Sequence, residues 1–181
     1  FVINSFLKDR RTIHDFDMAP VAEDVIEGAL ESLRWAPNHY LSEPWRVYLV
    51  GVEGRRKIAT LNAKAVEKKM GAKAAAIKLE RWSKIPGWLV INSVVEGDEI
   101  KQREDYAACC CGIQNLMLSF WAANVGVKWT TGAVTRLPEF SEIIGFDRSK
   151  ETVVGLLWFG LAKVIPSQRR KPLSNFLTRV P

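Results

Sequence analysis

The sequence predicts a layered α/β or α+β sandwich built around one core. Three observations carry that expectation. Runs of strand composition alternate with runs of helical composition, neither a repeat nor a linker divides the 181 residues, and 48% hydrophobic with 25% charged residues is ordinary for a globular domain. One domain over residues 1–181 is expected, and the pattern alone does not set a strand order.

Past Val21, the residues Val25, Ile26, Ala29, Leu30 and Leu33 recur at helical spacing, with Glu23, Asp24, Glu27 and Glu31 between them. Acids early in this helix suit the positive end of its dipole, and Pro37 stops it. "RVYLVGV", residues 46–52, reads as a strand closed by Gly51. Residues 53–80 are rich in Ala and Lys and helical in composition, with Gly71 as a break; their lysines predict a solvated face or a mobile flap. "GWLVINSVV", residues 87–95, is a nearly continuous apolar run of strand length, expected to be covered on both faces. Residues 102–124 predict a long helix in which Tyr106, Ile113, Leu116, Met117, Phe120 and Trp121 make a wide apolar surface, central to the fold or to an interface. "VGVKWTTG" predicts a short strand or loop, "LPEFSEIIGF" a short helix and "ETVVGLLWFGLA" a further strand. The tail from Lys163 returns to polar, basic and proline-containing sequence.

No apolar run approaches the roughly 20 residues that span a bilayer, and "FVINSFLKDRR" lacks the charge-then-apolar order of a signal peptide. A cytoplasmic protein with no membrane attachment is expected for the residues from Phe1 onward. The three cysteines, Cys109, Cys110 and Cys111, are consecutive. Helical neighbours point about 100° apart, so these fit neither a disulfide framework nor a zinc site, and small buried hydrophobes is preferred over reactive thiols.

The formal net charge of +6 admits nucleic acid, an acidic membrane or an anionic small ligand. Two basic clusters concentrate it, "KDRRT" at residues 8–12 and "QRRKP" at residues 168–172. Arginine forks beside a hydroxyl suit a phosphate monoester, while on spacing alone two solvated basic turns are the simpler reading. There is no P-loop and no GxGxxG. Most of the seven tryptophans sit in apolar runs, which favours core packing over base stacking, and no nucleic-acid module is recognisable. His14 and His39 have no nucleophile at a motif spacing. Phosphate-binding clusters without a nucleophile suggest a protein that leaves the hard chemistry to a cofactor.

Four stretches, in order, resemble the FMN-dependent nitroreductase family: "RRTIHDF" from Arg10, "WAPNHYLSEPW", "REDYAACCCGIQNLMLSFWAANVGVKWTTG" and "VVGLLWFGLA" with "PSQRRKPL". The likeness covers essentially the whole chain and points to the short nitroreductases whose first helix ends in an AP-Asn/Asp-His turn. It implies an α+β, three-layer sandwich with a mixed central sheet flanked by helices, assembled as an intertwined homodimer that binds two FMN molecules at the subunit interface. The residues matching the family's FMN phosphate grip are Arg10, Arg11 and Thr12, completed by Arg169 and Arg170. His39 and Glu43, in the turn after the helix, match flavin contacts. Many relatives carry Gln where Glu43 stands, and an ionised carboxylate can accept from the flavin N3 amide but cannot donate to O4. Trp129, Thr130 and Thr131 match positions beside the flavin, with Gly132 allowing close backbone approach. Trp45 is expected to be a core anchor. His14 occupies a position that is often Lys or Arg, near the flavin pyrimidine edge, so a weaker, pH-dependent positive charge is expected there.

The activity implied is ping-pong hydride transfer from NADH or NADPH to flat, electron-poor acceptors, nitroaromatic or quinone-like, with no catalytic side chain and no metal. Residues 64–84 are expected in the acceptor lining, and the Cys-rich helix, with Met117, Phe120 and Trp121, in the dimer core. A non-catalytic flavin storage or sensing protein would share these motifs. A basic nucleic-acid-binding domain would need neither flavin nor dimer, and a dehalogenase or oxygen-using ring-cleaving flavoenzyme is disfavoured by the lack of an obvious lid insertion.

Overall fold

The computed structural model describes residues 2–180. Its framework is a sheet of β1 (Trp45–Leu49), β2 (Gly87–Val94), β3 (Val125–Thr130) and β4 (Glu151–Leu161), in the order β1-β2-β4-β3. All three ladders are antiparallel. The expected mixed sheet is therefore corrected: the parallel pairing described is confined to one bridge, Thr12 to Val127, on the outer side of β3. The connections explain this. Two packed helices, α3 (Val52–Met70) and α4 (Ala72–Ser83), return the chain to the end of the sheet it left, so β2 runs against β1. β4 then inserts between β2 and β3, separating two consecutive strands that run the same way.

Helices α2 (Glu23–Leu33) and α5 (Glu99–Ala122) cover one face, where Leu33, Ile113, Leu116 and Phe120 meet Leu89, Leu157 and Phe159. The Phe120 and Phe159 rings stack with centroids 4.9 Å apart. On the other face, Ile58 of α3, Trp82 of α4 and Phe140 of α6 (Pro138–Ile144) pack on Trp88, Val90, Leu156 and Trp158. A register shift opposite Ile91 and Asn92 adds a residue to β4, which lets Val154 and Leu157 share a face despite their odd spacing. β2 is buried on both sides, as its unbroken apolar run predicts.

Several expectations change. β1 ends at Leu49, and Val52 begins α3, because Gly51 serves as the helix N-cap position instead of closing a longer strand. Gly71 does break the helical stretch, at φ 85°. That stretch is docked and not a free flap: Ile58, Ala59, Ala63, Ala75 and Trp82 are buried, leaving the lysines outward. α5 starts at Glu99, earlier than expected, since the Asp98 carboxylate accepts from the Lys101 N–H at 2.9 Å. Met117 and Phe120 lie in the chain's own core, so the expected dimer surface made from them is not exposed. Of the cysteines only Cys109 is buried; Cys110 is intermediate and Cys111 exposed. Helix α1 (Val2–Asp9), unassigned from sequence, precedes the first arginine motif.

Candidate functional site

The first arginine motif is held by a hydrophobic pin. Ile13 is fully buried, its N–H donates to the Val127 carbonyl at 3.2 Å, and Thr12 bridges Val127 beside it. Gly126 makes this docking fit, since a Cβ there would collide with Ile13 Cγ1. The Arg10 N–H closes α1 on the Phe6 carbonyl at 3.1 Å. Arg11 turns back and donates to the carbonyls of Lys8 and Arg10, capping the same helix end.

Arg10 itself is half-buried, and among the described residues no carboxylate pairs with it. Its pKa is lowered by burial first, then by the charges of Arg170 and Arg11. The fold thus brings the C-terminal basic cluster to the N-terminal one. Arg170 is the member that acts on Arg10. With its amide oxygen turned toward Arg170, Gln168 accepts from the guanidinium at 2.9 and 3.1 Å. Arg169 is exposed.

Beside this corner lies a cavity of about 450 Å³ lined by His14, Phe16, Ile77, Glu80, Arg81 and Lys84, among others. Arg81 donates to the His14 carbonyl at 3.1 Å. Burial lowers the His14 pKa, followed by the charges of Lys128 and Arg81. At the end of β3, the Trp129 indole donates to the Val154 carbonyl at 3.1 Å and packs against the first core, with its Nε1 where a Cβ on Gly155 would sit. Thr130 is half-buried and pairs with Leu156, while Thr131 is exposed and its carbonyl accepts from Arg136 at 3.1 Å. Gly132 has φ −58° and a built Cβ would meet only the Thr130 hydroxyl, at 3.7 Å. Nothing in the chain itself demands glycine there.

The turn after α2 is strained and anchored. Tyr40 and Leu41 both have φ 54° and Glu43 φ 42°, left-handed conformations that cost of order 1–3 kcal/mol each for non-glycine residues. Asn38 closes the turn, its Oδ1 accepting from the Glu43 N–H at 2.9 Å. Ser42 donates to Asp105 at 2.6 Å; that carboxylate is only 2% exposed and also takes Lys101 Nζ at 2.8 Å. His39 Nδ1 lies 2.8 Å from Glu104 Oε2. Tyr40 and Leu41 are left 92% and 82% exposed, an unusual display for a turn so firmly tied down. Within one protomer, no described contact joins His39 or Glu43 to the Arg10 and His14 corner.

Sequence reasoning did not single out Lys128, Arg81 or the Asp105 anchor. A signal was present for Lys128: it breaks the apolar run "VGVKW" on β3, the edge strand of the sheet.

The α+β sandwich thus carries an arginine corner that is not ion-paired among the described residues, beside a cavity whose wall bears Arg81 and Lys84 with Asp15 and Glu80. The chain belongs to the nitroreductase family, whose model matches residues 7–161, and it is an oxidoreductase of that family. It is 28% identical to the nitroreductase-family protein YfhC of Bacillus subtilis (strain 168) over 185 residues, covering 99% of this chain and 94% of that protein. The crystal structure of a nitroreductase-like family protein from Bacillus cereus superposes with a TM-score of 0.86 at 31% identity, covering 98% of this chain and 95% of that one. The FMN-dependent nitroreductase NfnB from Mycobacterium smegmatis, solved in complex with NADPH, shares the fold at a TM-score of 0.79 and 15% identity, with 99% and 98% coverage.

Proposed function

We propose that residues 1–181 form one FMN-binding domain of a homodimeric, cytoplasmic oxidoreductase that uses NADH or NADPH to reduce nitroaromatic or quinone-type acceptors. The observation that carries this reading is the approach of Arg170 to Arg10, from opposite ends of the chain, with no acid among the described residues ion-paired to either. Three guanidinium groups crowd one half-buried corner, and a bound phosphate would offset their repulsion. Family membership supports the same cofactor, and the solved relative NfnB is FMN-dependent.

FMN would supply the hydride chemistry. The chain's task is to bind and orient: Arg10 and Arg170 hold the phosphate with Thr12, and Arg11 stiffens the turn that presents them. Arg169 supplements the local charge. His14 lines the adjoining cavity, and the backbone at Thr130, Thr131 and Gly132, aligned by the Trp129 anchor, borders the ring. His39 and Glu43 serve the site of the second copy. Their strained turn, with Tyr40 and Leu41 turned outward, supports that assignment.

A dimer is also supported by apolar side chains left uncovered in the protomer, including Ile3, Ile100, Leu173, Phe176 and Val180 at 60–85% exposure. Among the described residues no helix is long and apolar enough to cross a membrane.

The test is the visible spectrum of the purified protein with FMN, followed anaerobically on adding NADH and then NADPH. Rapid bleaching of a bound flavin supports the enzyme; bound flavin that stays oxidised indicates storage or sensing. No bound flavin refutes the reading, and sedimentation as a folded, FMN-holding monomer refutes the dimer.

A further inference from the structure

His14 lines a cavity whose wall carries two cations, Arg81 and Lys84, and two acids, Asp15 and Glu80. The Thr12 bridge and the Ile13 hydrogen bond to Val127 run this segment alongside β3, which sets His14 close to Lys128. Side chains alternate along a strand, so Val125, Val127 and Trp129 enter the first core while Gly126 and Lys128 turn to the opposite face. There Lys128 Nζ stands 4.8 Å from the centroid of the Trp158 ring, a cation–π contact that holds the ammonium in place. Among the described residues Lys128 has no carboxylate partner.

The other groups facing His14 are also accounted for. From α4 come Glu80 and Arg81, with Lys84 just after it, and the Glu80 carboxylate is engaged by Lys84 at 2.7 Å. Asp15 is the remaining acid on the cavity wall. Burial and the charges of Arg81 and Lys78 lower the Lys128 pKa from 10.5, as expected for a half-buried ammonium among cations. Burial first, then the charges of Lys128 and Arg81, disfavour protonation of His14.

We propose that Lys128 is a fixed positive charge beside this cavity, next to His14, acting on the bound cofactor and helping to set its reduction potential. This rests on the FMN reading above. A cation beside the cofactor favours the form that carries more negative charge, so removing it lowers the potential. Unlike the pH-dependent charge expected at His14, an ammonium charge persists through the histidine range.

The variants are K128M and K128Q, which remove the charge while keeping a stem to lie on Trp158, and K128R, which keeps both charge and ring contact. The first readout is the NMR titration of the His14 imidazole, assigned with H14Q and followed in the protein without FMN. The second is the midpoint potential of bound FMN. We expect the His14 pKa to move up in the charge-free variants and the potential to move down, with K128R restoring both. FMN bound at an unchanged potential in folded K128M or K128Q would overturn the proposal alone. Failure of the wild-type chain to bind FMN would overturn it together with the flavin reading.

Discussion

Replacing Arg10 by Gln separates a ligand-binding arginine from a structural one. A hydrogen bond to a charged group is worth roughly 1.5–3 kcal/mol, which at an RT of about 0.59 kcal/mol corresponds to a loss of roughly 10–150-fold in FMN affinity. Stability without FMN should move the other way or not at all, within about 0.5 kcal/mol, because no carboxylate among the described residues is ion-paired with Arg10 and the variant gives up repulsion from Arg170 and Arg11. The two effects meet in a thermal melt. At an FMN concentration about 100 times the wild-type Kd, binding stabilises the wild type by about 2.7 kcal/mol; a 100-fold weaker variant gains only about 0.4 kcal/mol. The assay is fluorescence titration with FMN, paired with melts in its presence and absence. Arg170→Gln should behave alike, and Arg169→Gln more mildly. A variant R10Q that melts several degrees lower without FMN yet binds it normally would refute the reasoning.

Gly126→Ala would drive a Cβ into Ile13 and lift residues 10–14 off β3; an overpacking cost of about 1–3 kcal/mol and weaker FMN binding are expected, and native values of both by melting and titration would argue otherwise. Burial and the Glu151 carboxylate push the Tyr48 hydroxyl up to about 12. The unfolded chain begins to lose that proton near pH 10 while the folded one keeps it, so stability is intact below pH 10 and falls toward pH 12. Urea midpoints across that window should fall less for Tyr48→Phe than for wild type, and parallel curves would count against the assignment. Cys109, fully buried with its thiol pushed up to about 11, should resist alkylation until the protein unfolds; mass spectrometry detecting early modification at Cys109 in the native protein would contradict its placement.

Strong local periodicity was legible in advance. The α2 stripe, the doubly covered run of β2, the long α5 and the break at Gly71 all follow from spacing or composition within one segment. Boundaries shifted where a single residue outweighed the pattern, as Asp98 did by capping α5 early. Helix α1 was missed because it is short and its apolar residues, Ile3, Phe6 and Leu7, remain exposed in the protomer. Nor could composition say which side of α5 is covered. Met117 and Phe120 look like interface residues until α2 and the sheet are seen to enclose them.

The site divides along the same line. The arginine motifs, the Asn-His turn and the WTTG segment are contiguous stretches, and their order along the chain was enough to mark a family. Their spatial relation was a tertiary matter: Arg170 faces Arg10 only because β4 returns beside β3 and carries the tail to the corner where Ile13 pins the first motif. Lys128 reads from sequence as an ordinary strand lysine, and becomes a candidate only when Trp158, Arg81 and His14 surround it. Residue types and spacing record interactions within a few turns of chain, whereas charge convergence depends on distance through space, and that distance is set by how the sheet is ordered.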